Sequence, residues 1–351
     1  MKRSLALAAV LLVALVGCAP TEEVAIPDPP AVEPTPTPTP TQAQETGDVR
    51  PAAVFDTCDD VFGSGVVDEF VGPVEWSTAL NIDEVVFAQA RGLACDSVFT
   101  ETQQGMQIAV VPASAVDTVD EKLTCIKHGL EWGPHHACFV ETESNGIRLS
   151  GVVTFGSGTI AESTAKTEGL VAGFTAQAAT VTVPPAPIPA DGAWPLPVEC
   201  AGVRAEFDAE SVLKNPHLEE VSRGGGDVFT PPAVWEVAGG YDDPTTICGW
   251  FATEGLSDSQ IAAGGYDSLI SYNAGGGAWA FDALAANADV TEITVDGADR
   301  AAIVARDYFR FILVADGPNL TQISLQGNTD NLGTAYESVS AAFLAALNAA
   351  G

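Results

Sequence analysis

The chain has 351 residues, and its 14 Lys and Arg against 47 Asp and Glu give a formal charge of −33. That charge repels phosphate backbones and excludes nucleic acid as a partner. With 46% hydrophobic and 17% charged residues it holds enough apolar material for folded cores, and its seven Cys, four His and two Met leave little for soft-metal chemistry.

Residues 1–18 start with Lys2 and Arg3, run apolar over residues 5–16 and end at Leu15-Val16-Gly17-Cys18. This is the layout of a secretory signal, since about twelve apolar residues fall short of the ~20 needed to span a bilayer. The small Gly17 before Cys18, with branched residues ahead of it, resembles the lipobox of bacterial lipoproteins. The resemblance implies cleavage before Cys18 and a diacylglycerol thioether on its sulfur. The lipid bilayer is then a partner through acylated Cys18, and the chain is anchored at the extracytoplasmic face of the membrane. Residues 19–51 contain Pro34-Thr35-Pro36-Thr37-Pro38-Thr39-Pro40-Thr41. Alternating prolines fix φ and remove amide donors, which predicts a solvated, polyproline-like stalk.

A second Pro-rich stretch, residues 184–195, is expected to link two domains, residues 52–183 and 196–351. The two halves repeat one order of features. Each opens on a cysteine, Cys58 or Cys200, ahead of a short helical stretch over residues 64–71 or 208–213. A second predicted helix follows, residues 83–90 or 233–238, then glycine, then a cysteine-bearing strand over residues 93–99 or 246–251. Strands are read over residues 106–111 and 268–272. Hairpins are read over residues 137–143 with 147–155, around Asn145-Gly146, and over residues 308–315 with 320–326, around Asp316-Gly317-Pro318-Asn319. Each half then ends on an amphipathic helix that includes residues 164–170 or 334–340. The fold class is α+β: two tandem similar domains, each an antiparallel sheet flanked by helices.

Six cysteines remain after Cys18, in a compartment where disulfides persist. Six allow fifteen pairings, and the repeat selects one. Cys58 with Cys95 corresponds to Cys200 with Cys248, which leaves Cys125 to pair with Cys138 in the first half alone. The competing reading, a cysteine metal site or free thiols, fits export and pairwise occurrence less well.

The lipobox, the Thr/Pro stalk, the early cysteine, Cys248-Gly249-Trp250, and Val295-Asp296-Gly297-Ala298-Asp299-Arg300-Ala301 ahead of a hairpin together resemble actinobacterial cell-envelope lipoproteins. Those proteins are built on a small, uncharacterised Cys-x-Trp domain, and the likeness covers most of the second half. In the first half Asp96-Ser97 stands where the second has Gly-Trp. The resemblance implies a surface-displayed envelope protein and carries over no catalytic residue.

His128, His135 and His136 with Glu131 form the one local concentration of metal-type ligands. Gly129, Gly133 and Pro134 make that segment read as a polar surface loop closed by Cys125 and Cys138, so no metal or cofactor is expected. Ser64 and Ser157 lack the strand-elbow-helix setting of a nucleophile and read as turn serines. Gly224-Gly225-Gly226 and Gly275-Gly276-Gly277 lack the Lys-Ser/Thr of a phosphate loop and read as flexible loops. Trp235, Tyr241, Trp250, Tyr272 and Trp279 offer a possible ligand surface, weighed against core packing around Cys248. The expected function is a non-enzymatic module that binds an envelope protein or a small ligand. The rivals are a hydrolase acting on envelope polymers and a structural spacer.

Overall fold

In the computed structural model the chain separates into residues 1–41 and residues 42–351. The residues described are 49–77, 80–98, 104–115, 121–130, 133–185, 189–195, 200–213, 219–220, 247–252, 267–286, 288–306, 309–326 and 336–350. The leader, most of the stalk and the predicted helix over residues 233–238 lie outside them.

The first half runs α1 (Cys58–Phe62), α2 (Val66–Phe70), β1 (Glu75–Trp76), α3 (Ile82–Gln89), β2 (Leu93–Val98), β3 (Gly105–Pro112), β4 (Lys122–Leu130), β5 (Gly133–Ser144), β6 (Ile147–Phe155) and α4 (Ile160–Ala178). The second half contains α5 (Cys200–Glu206), α6 (Ala209–Leu213), β7 (Glu219–Glu220), β8 (Ile247–Ala252), β9 (Asp267–Ala274), α7 (Phe281–Ala285), β10 (Asp289–Glu292), β11 (Arg300–Arg306), β12 (Phe309–Asp316), β13 (Asn319–Gln326) and α8 (Tyr336–Ala350). Local chemistry sets the boundaries. Thr57 with Asp60 and Thr159 with Glu162 form capping boxes at the starts of α1 and α4, satisfying amides that have no partner within the helix. Bonds from the Thr159 amide and hydroxyl hold the Glu162 carboxyl below its ordinary range.

The duplication appears as topology. The first sheet is ordered β1-β2-β3-β6-β5-β4, and the second, read in the same direction, β7-β8-β9-β13-β12-β11-β10. Strand for strand the orders coincide, with β10 added at one edge of the second, and every strand pair in both sheets is antiparallel. All three expected disulfides are present: Cys58–Cys95 ties the start of α1 to β2, Cys200–Cys248 ties the start of α5 to β8, and Cys125–Cys138 bridges β4 and β5.

Strand alternation divides each sheet's apolar residues between two cores. On β3, Ile108 and Val110 face a core shared with Phe62 of α1 and Phe174 of α4, while Ala109 and Val111 face the other way. On β12, Ile312 and Val314 meet Phe343 and Leu347 of α8, while Leu313 and Ala315 face the other way. The two remaining faces meet in a third core common to both halves, which also takes in Val85 and Phe87 of α3 and Phe281 and Leu284 of α7. The halves are therefore packed with these two sheet faces toward each other and with α3 and α7 in the core between them, while α1 and α4 cover the outer face of the first sheet and α5 and α8 that of the second.

Gly275-Gly276-Gly277 is buried at this junction, which corrects its reading as a flexible loop. A Cβ on Gly275 would collide with the Trp194 carbonyl oxygen, and one on Gly277 would stand 2.9 Å from a Val85 methyl. The missing side chains let the linker and α3 approach the end of β9. The linker itself is docked. The Trp194 backbone N–H donates to Asn319 Oδ1 at 2.8 Å, its indole N–H donates to Asn348 Oδ1 at 2.9 Å, and the Asn319 amide donates back to the Gly192 carbonyl at 2.9 Å.

Candidate functional site

The clearest difference between the halves is the β4–β5 hairpin. The turns after β5 and β12 match, with Ser144 opposite Ile147 and Asp316 opposite Asn319. Counted back from those turns, β12 ends at Phe309 while β5 continues four residues further, to Gly133. The extra rungs are Lys127↔His136, His128↔His135, Gly129↔Pro134 and Leu130↔Gly133. Cys125 and Cys138 are directly opposite one another near the base of this arm, with Cα atoms 4.0 Å apart.

The segment read as a histidine loop is thus two paired strands. Glycine and proline are tolerated because β6 pairs with β5 only as far as His136↔Phe155. Beyond that rung the arm is two-stranded, so the amide that Pro134 lacks costs no bond to β6. His136 is buried, and its Nδ1 lies 3.3 Å from the Ser163 hydroxyl of α4. It fixes the arm to the helix, which is a structural task. Glu131 and the side chains of His128 and His135 fall outside the described residues. Among the described residues no three His, Cys, Asp or Glu side chains are grouped to hold a metal ion.

The aromatic set divides. Trp250 is 3% exposed and packs 5.1 Å from Phe207 and 6.1 Å from Phe343, centroid to centroid. It fills the core beside Cys248 and offers no ligand surface. Tyr272 and Trp279 are half-buried against the core between the halves, and Arg50 lies over the Trp279 ring at 5.7 Å. Trp235 and Tyr241 lie outside the described residues, as do Gly224-Gly225-Gly226. Ser64 lies in a turn between α1 and α2, on the wall of a concavity of about 360 Å³ that also takes in Asp59, Asp60, Asp68 and Gln177. Two of its carboxylates already have local work. Asp59 accepts from the Trp76 indole at 2.9 Å, and Asp60 caps α1.

Sequence reading missed a polar strip on the inter-half face of the first sheet. Ser150 donates to Glu141, and Arg148 pairs with Glu143 at 2.8 Å; Glu141, Arg148 and Ser150 are all buried. These residues continue the rungs of Ala109 and Val111. Asp96, on β2, is the matching carboxylate of the 93–98 strand, and its Oδ1 is buried with no hydrogen-bond partner. Burial raises its carboxyl above the ordinary range. Since the folded value exceeds the unfolded one, ionising Asp96 costs stability as pH rises through and beyond the unfolded value, and that cost levels off above the folded one. Asp96→Asn is therefore expected to melt higher than the parent at pH 7 and to match it near pH 3, in paired thermal scans.

No protein-family profile and no curated protein matches the chain. Among solved structures, the crystal structure of the di-domain ARO/CYC StfQ from the steffimycin biosynthetic pathway aligns over 86% of this chain and 95% of that one. At 10% identity and a TM-score of 0.17 the likeness carries no argument about fold or function. No helix among the described residues is long and apolar enough to cross a membrane.

Proposed function

We propose that the chain is an extracytoplasmic lipoprotein, held to the membrane through Cys18 and a proline-rich stalk, whose paired domains form a non-enzymatic binding module for another envelope protein. One observation carries the reading. The first half has a hairpin arm that its duplicate lacks, bridged by a disulfide of its own and seated on α4 through His136. A rigid, covalently braced projection at a sheet edge limits the entropy lost on docking. The resemblance of Cys248-Gly249-Trp250 and its surroundings to the actinobacterial Cys-x-Trp lipoproteins belongs to the same reading, as does the actinobacterial origin it implies.

Photo-crosslinking in the native envelope tests it. A benzoylphenylalanine in place of Ile126, which is 38% exposed on β4, is expected to give a discrete protein adduct, while the same probe at Ile160, 44% exposed at the start of α4, gives none. Equal labelling at both positions, or no adduct at either, would overturn the binding reading. In the same cells, Cys18→Ala is expected to move the protein from the membrane fraction to the soluble one; retention in the membrane would overturn the tether.

A further inference from the structure

Among the described residues the two sheets have four edges, and they differ in length and in charge. At one side β1 and β7 are two-residue strands, too short to template a neighbour. At the other side β10, Asp289-Val290-Thr291-Glu292, covers β11 with all four of its residues exposed. The counterpart of β11 in the first sheet is β4, which is nine residues long and pairs only with β5 among the described residues. Helix α4 packs over the face of that sheet, and among the described residues no strand pairs with the outer side of β4.

The chemistry of the open edge differs from that of the whole chain. Lys122, Thr124, Ile126 and Lys127 are exposed, and β4 contains no acidic residue. Glu121, also exposed, stands just before it. In the second half the covered strand β11 begins at Arg300 and ends at Arg306, and the acids of β10 lie opposite its neighbouring residues, Asp289↔Ala305 and Glu292↔Ala302. Arg300 is ion-paired to Asp282 of α7 at 2.6 Å and Arg306 donates to the Leu284 and Ala286 carbonyls, so Glu292 adds only its charge beside Arg300; what the duplicate displays is this edge of the fold covered by a short acidic strand with a β-branched centre.

We propose that the open edge of β4 accepts an extended acidic strand of a partner protein, added antiparallel as β10 is added to β11. The inference rests on the binding-module reading and names the partner's chemistry. Main-chain bonds supply affinity in strand addition, and flanking side chains supply selectivity. A second copy of this chain is disfavoured as the occupant, because a charge of −33 repels its like. At 0.15 M salt the Debye length is about 8 Å, so a partner strand on this edge feels chiefly Lys122 and Lys127. Lysines on an open edge can also serve only to prevent pairing, and the experiment separates the two roles.

The probe is a fluorescent peptide copying residues 288–294, Ala-Asp-Val-Thr-Glu-Ile-Thr, titrated with the full-length, disulfide-intact protein and read by anisotropy. Saturable binding is expected. It should weaken about tenfold in the Lys122→Glu, Lys127→Glu double variant, the effect of reversing two exposed ion pairs. It should vanish for a backbone N-methylated peptide and slow amide exchange at residues 122–127. No binding up to about millimolar peptide, equal binding by the double variant, or protection at another edge would each overturn the proposal. Self-association in sedimentation that the double variant abolishes would overturn it in favour of a second copy. If the Ile126 adduct forms while the peptide fails, the acidic-strand chemistry falls and the binding module stands; if both fail, both fall.

Discussion

Trp194→Ala is expected to destabilise the protein by about 3–5 kcal/mol, the usual range for deleting a buried tryptophan. Trp194 is 5% exposed and belongs to the core of the second half, although the sequence places it in a proline-rich linker. Its indole bridges to Asn348 on α8, and its carbonyl sits against Gly275. Calorimetry should show a melting temperature lower by at least about 6 °C, at roughly 2 °C per kcal/mol for a body of this size. Trp194→Phe keeps most of the bulk and loses the indole donor, so its cost should be nearer the ~1 kcal/mol of one hydrogen bond. If the alanine variant melts within a degree of the parent, the linker is a tether and not part of the core.

The second large effect concerns the disulfides. Removing Cys200–Cys248, whose partners are 48 residues apart, should cost about 4 kcal/mol by the loop-entropy relation, and removing Cys125–Cys138, only 13 apart, about 3 kcal/mol. Paired Cys→Ser variants avoid leaving a free thiol. Because Leu313 and Val304 of the second half share a core with Val85 and Ala109 of the first, loss of either bridge should lower one common transition. Two resolved transitions would show that the third core does not couple the halves. Exchange at residues 126–137 should rise only when Cys125–Cys138 is removed, and the Ile126 adduct should weaken with it.

Much of the fold was legible because local signals agreed with the long-range pattern. The duplication narrowed six cysteines to one pairing, and Asn145-Gly146 and Asp316-Gly317-Pro318-Asn319 marked both hairpin turns that the strands then observed. The hairpin arm was not legible, because Gly129, Gly133 and Pro134 break strands wherever a third strand lies alongside, and here none does beyond His136↔Phe155. The glycine triplet misled for a related reason. Its need for absent side chains arises from Trp194 and Val85, about 80 and 190 residues away in sequence, and no local pattern reports such a neighbour. From sequence Trp250 fits both a core and a ligand surface, and its two aromatic neighbours place it in the core. Of the candidate site, the cysteine bridge is legible in the sequence, whereas the outer edge of β4 is not, because its contrast with β11 depends on the long-range pairing of β10.

The unequal closure of the sheet edges also sets a valence. Both ends of an extended, two-edged sheet can template addition, and such molecules propagate into fibres. Among the described residues, two edges stop at two-residue strands, a third ends in the acidic β10, and the fourth is the nine-residue β4. Among the described residues no second long, cationic edge stands ready to repeat the contact, so association through this edge is expected to end as a one-to-one complex instead of a growing polymer.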